Sequence, residues 1–492
     1  MTNTDDRQHH SILKRIAHRA MIERGLIPDF PAQVFDQLNG INSPAAGDGE
    51  SVRDLRKLIW CSIDNDDSLD LDQLTAAAAI PDGSANLLIA VADVDALVKK
   101  QSAIDDYAQQ NTTSVYTVAE TFPMLPVKLS TDLTSLNFQT DRLAVVIDIV
   151  IAADGSLQSS DIYRAMVHNQ AKLAYNSVAG WLDGIGPMPQ AIGTVSGLEE
   201  SLRLQDSLAQ KLKDLRHLHG ALNLKTIELR PVFGGEELMD LEDDKGNRAK
   251  EIIEEFMIMA NGVTTRYLAS KKFPSFRRIV RTPRRWDRIV ELAAERGSTL
   301  PGDPDSKALE QFLAAAKTAD PLSFPDLSLS VIKLLGPGEY AVQLPEGNVE
   351  GHFGLAVKDY SHSTAPNRRY PDLITQRLLK AALAGSPIPY EKDELEELAK
   401  HCTLQEDDAK KVERQVAKSA AAILLESRIG EQFDAIVTGA SDKGTWVRLM
   451  HPPIEGRLES GFEGVDVGHR IRVQLVSTNV ERGYINFRRV MS

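Results

Sequence analysis

The strongest constraint in this chain is a crowd of like charges. Between Asp64 and Asp72 five aspartates fall within nine residues, Asp64, Asp66, Asp67, Asp70 and Asp72, and the apolar run Leu58-Ile59-Trp60-Cys61 leads into them. Carboxylates this close repel one another, and partial burial sharpens the repulsion. The fold must either solvate the cluster or neutralise it with a cation, and an all-oxygen donor set suits a hard ion such as Mg²⁺ or Mn²⁺. A Ca²⁺-binding helix-loop-helix is excluded: with Asp64 as position 1, the required glycine is Leu69 and the required glutamate is Thr75. An exposed acidic turn is the plain alternative. Ile63, Leu69 and Leu71, interleaved with the acids, argue for partial burial and a metal site.

At 492 residues the chain exceeds one core, and three or four domains are expected. The net charge of −14 argues against a general nucleic-acid coat, although metal-binding acids would inflate it in a nucleic-acid enzyme. The two cysteines, Cys61 and Cys402, form no CxxC pair, which fits a reducing cytoplasm. Residues 1–10 are polar, so no secretory leader is expected, and no run of about 18 apolar residues suggests a membrane span.

Periodicity predicts helices over 11–39 with a break at Pro28 and Pro31, then a Gly/Ala/Ser linker over 40–51. This N-terminal segment shows no chemistry of its own. A buried strand is expected over 86–98, with Asp93 and Asp95 directed back toward the aspartate cluster. Further expectations are a helix over 102–112, a rigid loop around Thr113–Pro126, a strand over 143–152 with a turn at Asp154-Gly155, a helix over 193–220, a strand over 223–233 and a helix over 249–270. Tyr116 reads either as core or as a base-stacking platform. Between residues 264 and 288 nine cations face one acid, with Phe273, Phe276 and Trp286 interleaved, a composition that fits a nucleic-acid groove. The run Tyr360 to Asp372 is a polar loop ending in Arg368-Arg369, suited to bidentate phosphate recognition, ahead of a helix over 372–384. Residues 393–428 are expected to form two helices, with Glu413 on the second. From about residue 430 onward five short alternating strands with glycine turns predict a small OB-type barrel. That region carries eight acids and eight bases, so RNA contact there would rest on Trp446, Phe433 or Phe487 and a few arginines.

In this order, four motifs give the chain a specific resemblance to the ribonuclease II family of 3′→5′ exoribonucleases, over roughly residues 50–430, with an S1-like OB-fold after it. They are Ser62–Asp72; Tyr116 with Pro123–Pro126 and Leu129-Ser130; Ile253–Met257 with Asn261; and His362–Asp372. The resemblance implies an α+β multidomain fold: a catalytic domain of mixed sheet and helices plus a five-stranded barrel. It divides the chain into an N-terminal helical segment (1–50), the catalytic domain (51–386), its helical extension (387–429) and the barrel (430–492). It implies that Asp64, Asp70 and Asp72 hold divalent metal, Mg²⁺ or Mn²⁺, and that Asp72, Asp70 and Arg368 carry catalysis, with Asp72 the most critical acid. Tyr116 would stack on the 3′-terminal base, Arg368 would contact the scissile phosphate beside Arg369, and Glu254 or Glu255 together with Glu413 would touch the terminal nucleotide. RNA would be the partner of a monomeric, cytoplasmic, membrane-free enzyme releasing 5′-nucleoside monophosphates.

Two departures qualify this. The family's metal motif commonly ends in Asp-Asp, whereas Gln73 occupies the second position; metal affinity would fall, or Asp66 or Asp67 would substitute. The family's paired N-terminal OB-type domains have no counterpart in residues 1–50, so the RNA path would be built differently, with more room for structured substrates. A catalytically weakened RNA-binding protein and a metal-dependent DNA nuclease are the competing readings; intact Asp64, Asp70, Asp72 and Arg368 weigh against decay.

Overall fold

The computed structural model describes residues 9–47, 52–225, 229–235, 237–243, 246–347, 351–441 and 444–490. The polar start (1–8), the end of the expected linker (48–51) and the middle of the strand expected over 223–233 (226–228) lie outside the described residues.

A six-stranded sheet organises the larger part of the chain, in the order Val52–Asp54, Leu157–Ala174, Trp60–Asp64, Gln73–Ala79, Ala85–Ala92, Asp141–Ile151. The long strand Leu157–Ala174 pairs antiparallel with Asp141–Ile151 through its first half and parallel with Trp60–Asp64 through its second, so the sheet curls back on itself. Ala85–Ala92 is buried almost throughout, as a strand covered on both faces must be. Helices Leu198–Leu218, Arg248–Ser270 and Tyr370–Ala384 contribute Leu208, Phe256 and Ile374 to the same core. Each such fully buried side chain stabilises the fold by about 1.5–3 kcal/mol.

The structure corrects several expectations. The strand over 86–98 stops at Ala92, because Asp93 caps a 3-10 turn with its own side chain. Asp93 pairs with Arg164 and Lys380, and Asp95 with Arg377 and Lys380, so these acids are internal ties and do not join the aspartate cluster. The helix over 193–220 is preceded by a separate short turn, Gln190–Thr194, and begins after Gly197, whose φ of +82° breaks the path. Residues 392–426 form one helix, Lys392–Glu426, rather than two: it has neither proline nor glycine, its apolar stripe is unbroken and its start carries a capping box.

The C-terminal barrel closes in the order Gln432–Ser441, Gly444–Leu449, Glu455–Ser460, Tyr484–Arg489, Arg470–Asn479. Phe433 and Phe487 fill its core, which removes them as RNA contacts; Trp446 is half-buried. A Cβ at Gly456 would overlap the Phe487 ring and the Ile485 carbonyl, so only glycine fits there. The barrel rests on the end of the long helix through Ala421, Ala422 and Leu425. The N-terminal helix His9–Glu23 packs Leu13, Ala17 and Met21 against Val115 and Phe122 and against Val412 and Val416 of the long helix. The segment without chemistry of its own therefore braces the Tyr116 hairpin.

Among the described residues no helix is long and apolar enough to cross a membrane. Cys61 and Cys402 are buried free thiols, and burial pushes Cys61 up to about 11.

Candidate active site

The aspartate loop joins two antiparallel strands that share a single ladder pair, Cys61 with Thr75, before they diverge. Asp64 ends the first strand and Asp72 immediately precedes the second. The loop is pinned where it matters. Leu71 N donates to Ser135 Oγ at 2.9 Å, Ser135 Oγ donates to the Leu69 carbonyl at 2.8 Å, and Lys172 Nζ donates to the Ser68 carbonyl at 2.5 Å. Ile63 and Leu71 are buried and anchor the loop, whereas Leu69 is exposed, against the reading that all three argue for burial. Asn65, Asp66 and Asp67 form an exposed tip, while Asp64 and Asp70 are half-buried.

Asp72 is 1% exposed. Its Oδ1 accepts from the Asn367 backbone N–H at 3.0 Å and its Oδ2 from Arg368 Nε at 3.3 Å. Burial pushes this carboxyl up to about 7, against the opposing pull of Arg368 and the Asn367 N–H. Burial raises Asp64 as well, which lies in the fields of Arg368 and Asp70. Asp70 accepts from the Tyr116 hydroxyl at 3.2 Å. The three acids named from the sequence thus share one electrostatic neighbourhood with Arg368. Among the described residues, however, no group of three or more His, Cys, Asp or Glu side chains converges tightly enough to hold one ion by itself. The donor set still fits a hard divalent cation: it is all oxygen, it holds more negative charge than Arg368 balances, and Mg²⁺ characteristically takes one or two carboxylates and completes its shell with water and substrate phosphate.

Tyr116 belongs to the short hairpin Val115–Tyr116 and Thr121–Phe122 and is 43% exposed, so the core reading fails. Its backbone N–H donates to Glu413 Oε1 at 2.9 Å, which brings the long helix to the same place. Ser114 N donates to the Arg368 carbonyl at 2.9 Å, stitching this hairpin to the arginine loop. Tyr116, Arg368, Arg369 and Glu413 line one cavity of about 180 Å³ with Tyr340 and His362. Arg369 is engaged within the loop, at 2.8 Å from Asp372.

The helical pair separates. Glu255 is buried and ion-paired with Arg216, whereas Glu254 is exposed and only grazes Arg216 at 3.5 Å. Asn261 is buried and accepts from Ser363 N and Oγ, both at 2.8 Å, so it shapes the arginine loop from below. The basic stretch 264–288 is not a groove: Phe276 and Trp286 are core, and Arg277 and Arg278 are buried against Asp359 and Glu406.

Sequence reasoning missed Asn367 and read Gln73 only as a weaker metal ligand. Asn367 holds Asp72 through its backbone, and its place beside Arg368 was the one available signal. Gln73 donates from Nε2 to the Thr364 carbonyl at 3.0 Å, tying the aspartate strand to the arginine loop. No sequence pattern marks that role.

A buried aspartate held by an arginine loop, in a domain built on a curled mixed sheet and followed by a closed five-stranded barrel, defines an α+β domain with an OB-type barrel behind it. The RNB domain model matches residues 52–385, and that of the RNase II-type exonuclease C-terminal S1 domain matches residues 431–490. The chain belongs to the RNB-domain family. Ribonuclease R of Vibrio parahaemolyticus is 30% identical over 450 residues, covering 87% of this chain and 52% of that protein. Ribonuclease R of Escherichia coli is 28% identical over 500 residues, covering 94% of this chain and 60% of that protein. The chain therefore spans between half and two thirds of the length of these curated relatives. Among solved structures, Mycoplasma genitalium RNase R in complex with ribose methylated single-stranded RNA is similar with a TM-score of 0.87 at 22% identity, over 99% of this chain and 79% of that one, a likeness of fold. RNB-family ribonucleases as a class depend on divalent metal.

Proposed function

We propose that the protein is a 3′→5′ exoribonuclease that hydrolyses single-stranded RNA to 5′-nucleoside monophosphates. The observation that carries this reading is Arg368, which contacts buried Asp72 and lines one cavity together with exposed Tyr116. Asp64, Asp70 and Asp72 are assigned to hold Mg²⁺ or Mn²⁺, which when bound supplies an activated water and charge stabilisation at the phosphate. Arg368, whose guanidinium is partly exposed, would neutralise charge developing on the phosphoryl oxygens. Tyr116 would stack on the terminal base, worth about 1–3 kcal/mol. Glu413 would fix the Tyr116 backbone and face the terminal nucleotide. Of the helical pair, Glu254 has the solvent face for an RNA contact, and Glu255 is assigned to Arg216. Arg369 would shape the cavity floor, and half-buried Trp446 would offer the barrel's RNA contact. RNA preference would come from ribose 2′-OH contacts. A monomeric cytoplasmic enzyme with the domain division 1–50, 51–386, 387–429 and 430–492 completes the reading.

The test is a 5′-labelled single-stranded RNA incubated with the purified protein and Mg²⁺ or Mn²⁺. A descending ladder ending in a short fixed fragment, absent with EDTA or a matched DNA, is the expected result. Binding without shortening in either metal would refute it in favour of a non-catalytic RNA-binding protein, and equal degradation of DNA would remove the RNA specificity.

A further inference from the structure

Where the N-terminal helix, the long helix and the barrel meet, they enclose a groove of about 590 Å³. Its walls carry Arg19, Arg24, Lys411, Arg414, Lys418 and Arg482 against two carboxylates, Glu23 and Glu481. Glu481 is already engaged by Arg15 and Arg19, and those pairs tie the helix to the barrel. Among the described residues Arg24, Arg414, Lys418 and Arg482 have no carboxylate partner, and Arg24 Nε is buried without a hydrogen bond. In a chain of net charge −14 this is a concentrated cationic surface, and Tyr484 stands at its edge 56% exposed.

The groove and the Tyr116 cavity both border the long helix. Lys410 and Glu413 of the long helix line the Tyr116 cavity, while Lys411, Arg414 and Lys418 line the groove on the neighbouring face. From Glu413 to Lys418 the helix rises only about 8 Å. A polyanion that carries flat apolar bases matches both features: cations along a track, and an exposed aromatic on which a base can stack.

We infer that this groove binds the single-stranded body of an RNA whose 3′ end occupies the Tyr116 cavity, making the N-terminal helix a wall of the RNA path. The inference rests on the exoribonuclease reading for the position of the 3′ end. It gives a use to a segment that carries no catalytic residue: the helix holds Arg24 in place and braces the Tyr116 hairpin from its other face.

The full-length protein would be titrated, in EDTA to stop turnover, with fluorescein-labelled adenosine RNAs of 30 and 8 nucleotides. The double variant Arg414→Glu/Arg482→Glu, both exposed, is expected to weaken binding of the 30-mer at least tenfold and to reduce the slope of log affinity against log salt concentration by about 1.4. The loss should be clearly smaller for the 8-mer. Tyr484→Ala should weaken the 30-mer about fivefold or more. Lys400→Glu, exposed on the same helix outside the groove, is the charge control. A double variant that binds the 30-mer no worse than this control overturns the groove alone. A wild-type protein that binds neither RNA overturns the exoribonuclease reading together with the groove. If Tyr484→Ala changes nothing and charge reversal lowers the affinity for RNA and for polyglutamate equally, the groove is a general polyanion site and its assignment to RNA is wrong.

Discussion

Arg368 Nε lies 3.3 Å from Asp72 Oδ2, across 296 residues of chain, and the Asn367 N–H reaches the other oxygen of the same carboxylate. The acid is held at both oxygens by one loop, in a place where burial favours its neutral form. Asp72→Asn keeps the shape and removes the charge. It should lower the rate of RNA hydrolysis by about a hundredfold or more, roughly 3 kcal/mol of transition-state stabilisation, while RNA affinity in EDTA stays within a few-fold of wild type. Single-turnover hydrolysis beside fluorescence anisotropy reads both. Equal loss of binding would make Asp72 a folding residue.

Gln73 contributes a donor where an aspartate could not. Its amide meets the Thr364 carbonyl at 3.0 Å. Gln73→Glu would set a carboxylate against that carbonyl beside Asp72, so the variant should lose about 1–3 kcal/mol of stability in EDTA. Added Mg²⁺ or Mn²⁺ should recover part of the loss by neutralising the new charge. Thermal denaturation with and without metal measures this; unchanged stability in EDTA would mean that the tie carries nothing.

Arg377 is buried and binds Asp105 at 2.7 Å, Asp95 at 3.2 Å, the Val98 carbonyl at 2.9 Å and the Tyr390 hydroxyl at 3.0 Å. These contacts clamp the segment after strand Ala85–Ala92 onto the helix that follows the arginine loop. Arg377→Met strands two acids, and a loss of about 3–5 kcal/mol is expected in urea unfolding. A loss below 1 kcal/mol would show that the two acids do not depend on Arg377, since Lys380 reaches Asp95 but not Asp105.

What the sequence disclosed and what it hid divide along contact distance. The aspartate loop, the arginine motif and the barrel are local patterns, and they stand where the periodicity and the motifs placed them. What distinguishes Glu254 from Glu255 is the ion pair with Arg216, which lies 39 residues from Glu255. The basic stretch looked like a groove because Asp359, 82 residues beyond Arg277, was not visible as its partner. Asp93 and Asp95 misled for the same reason, since Lys380 and Arg377 arrive on a helix nearly three hundred residues later. Charge shows up in a sequence; its compensation appears only in the fold.

His352 contributes a pH dependence opposite in sign to that of the raised Asp72 carboxyl. Its Nδ1 accepts from the Leu355 N–H at 3.2 Å, a role open only to the neutral ring, and burial with nearby Arg278 lowers its pKa to about 4. The unfolded chain takes up a proton near pH 6.5 and the folded one does not until about pH 4, so the unfolded state binds more protons between these values. Stability from this residue is therefore full above pH 6.5 and is lost as the pH falls toward 4. His352→Gln, which can still accept the bond through its amide oxygen, should flatten the melting temperature over that window relative to wild type. Parallel curves for the two proteins from pH 7 to pH 4 would show that other groups, such as half-buried His362, carry the acid sensitivity.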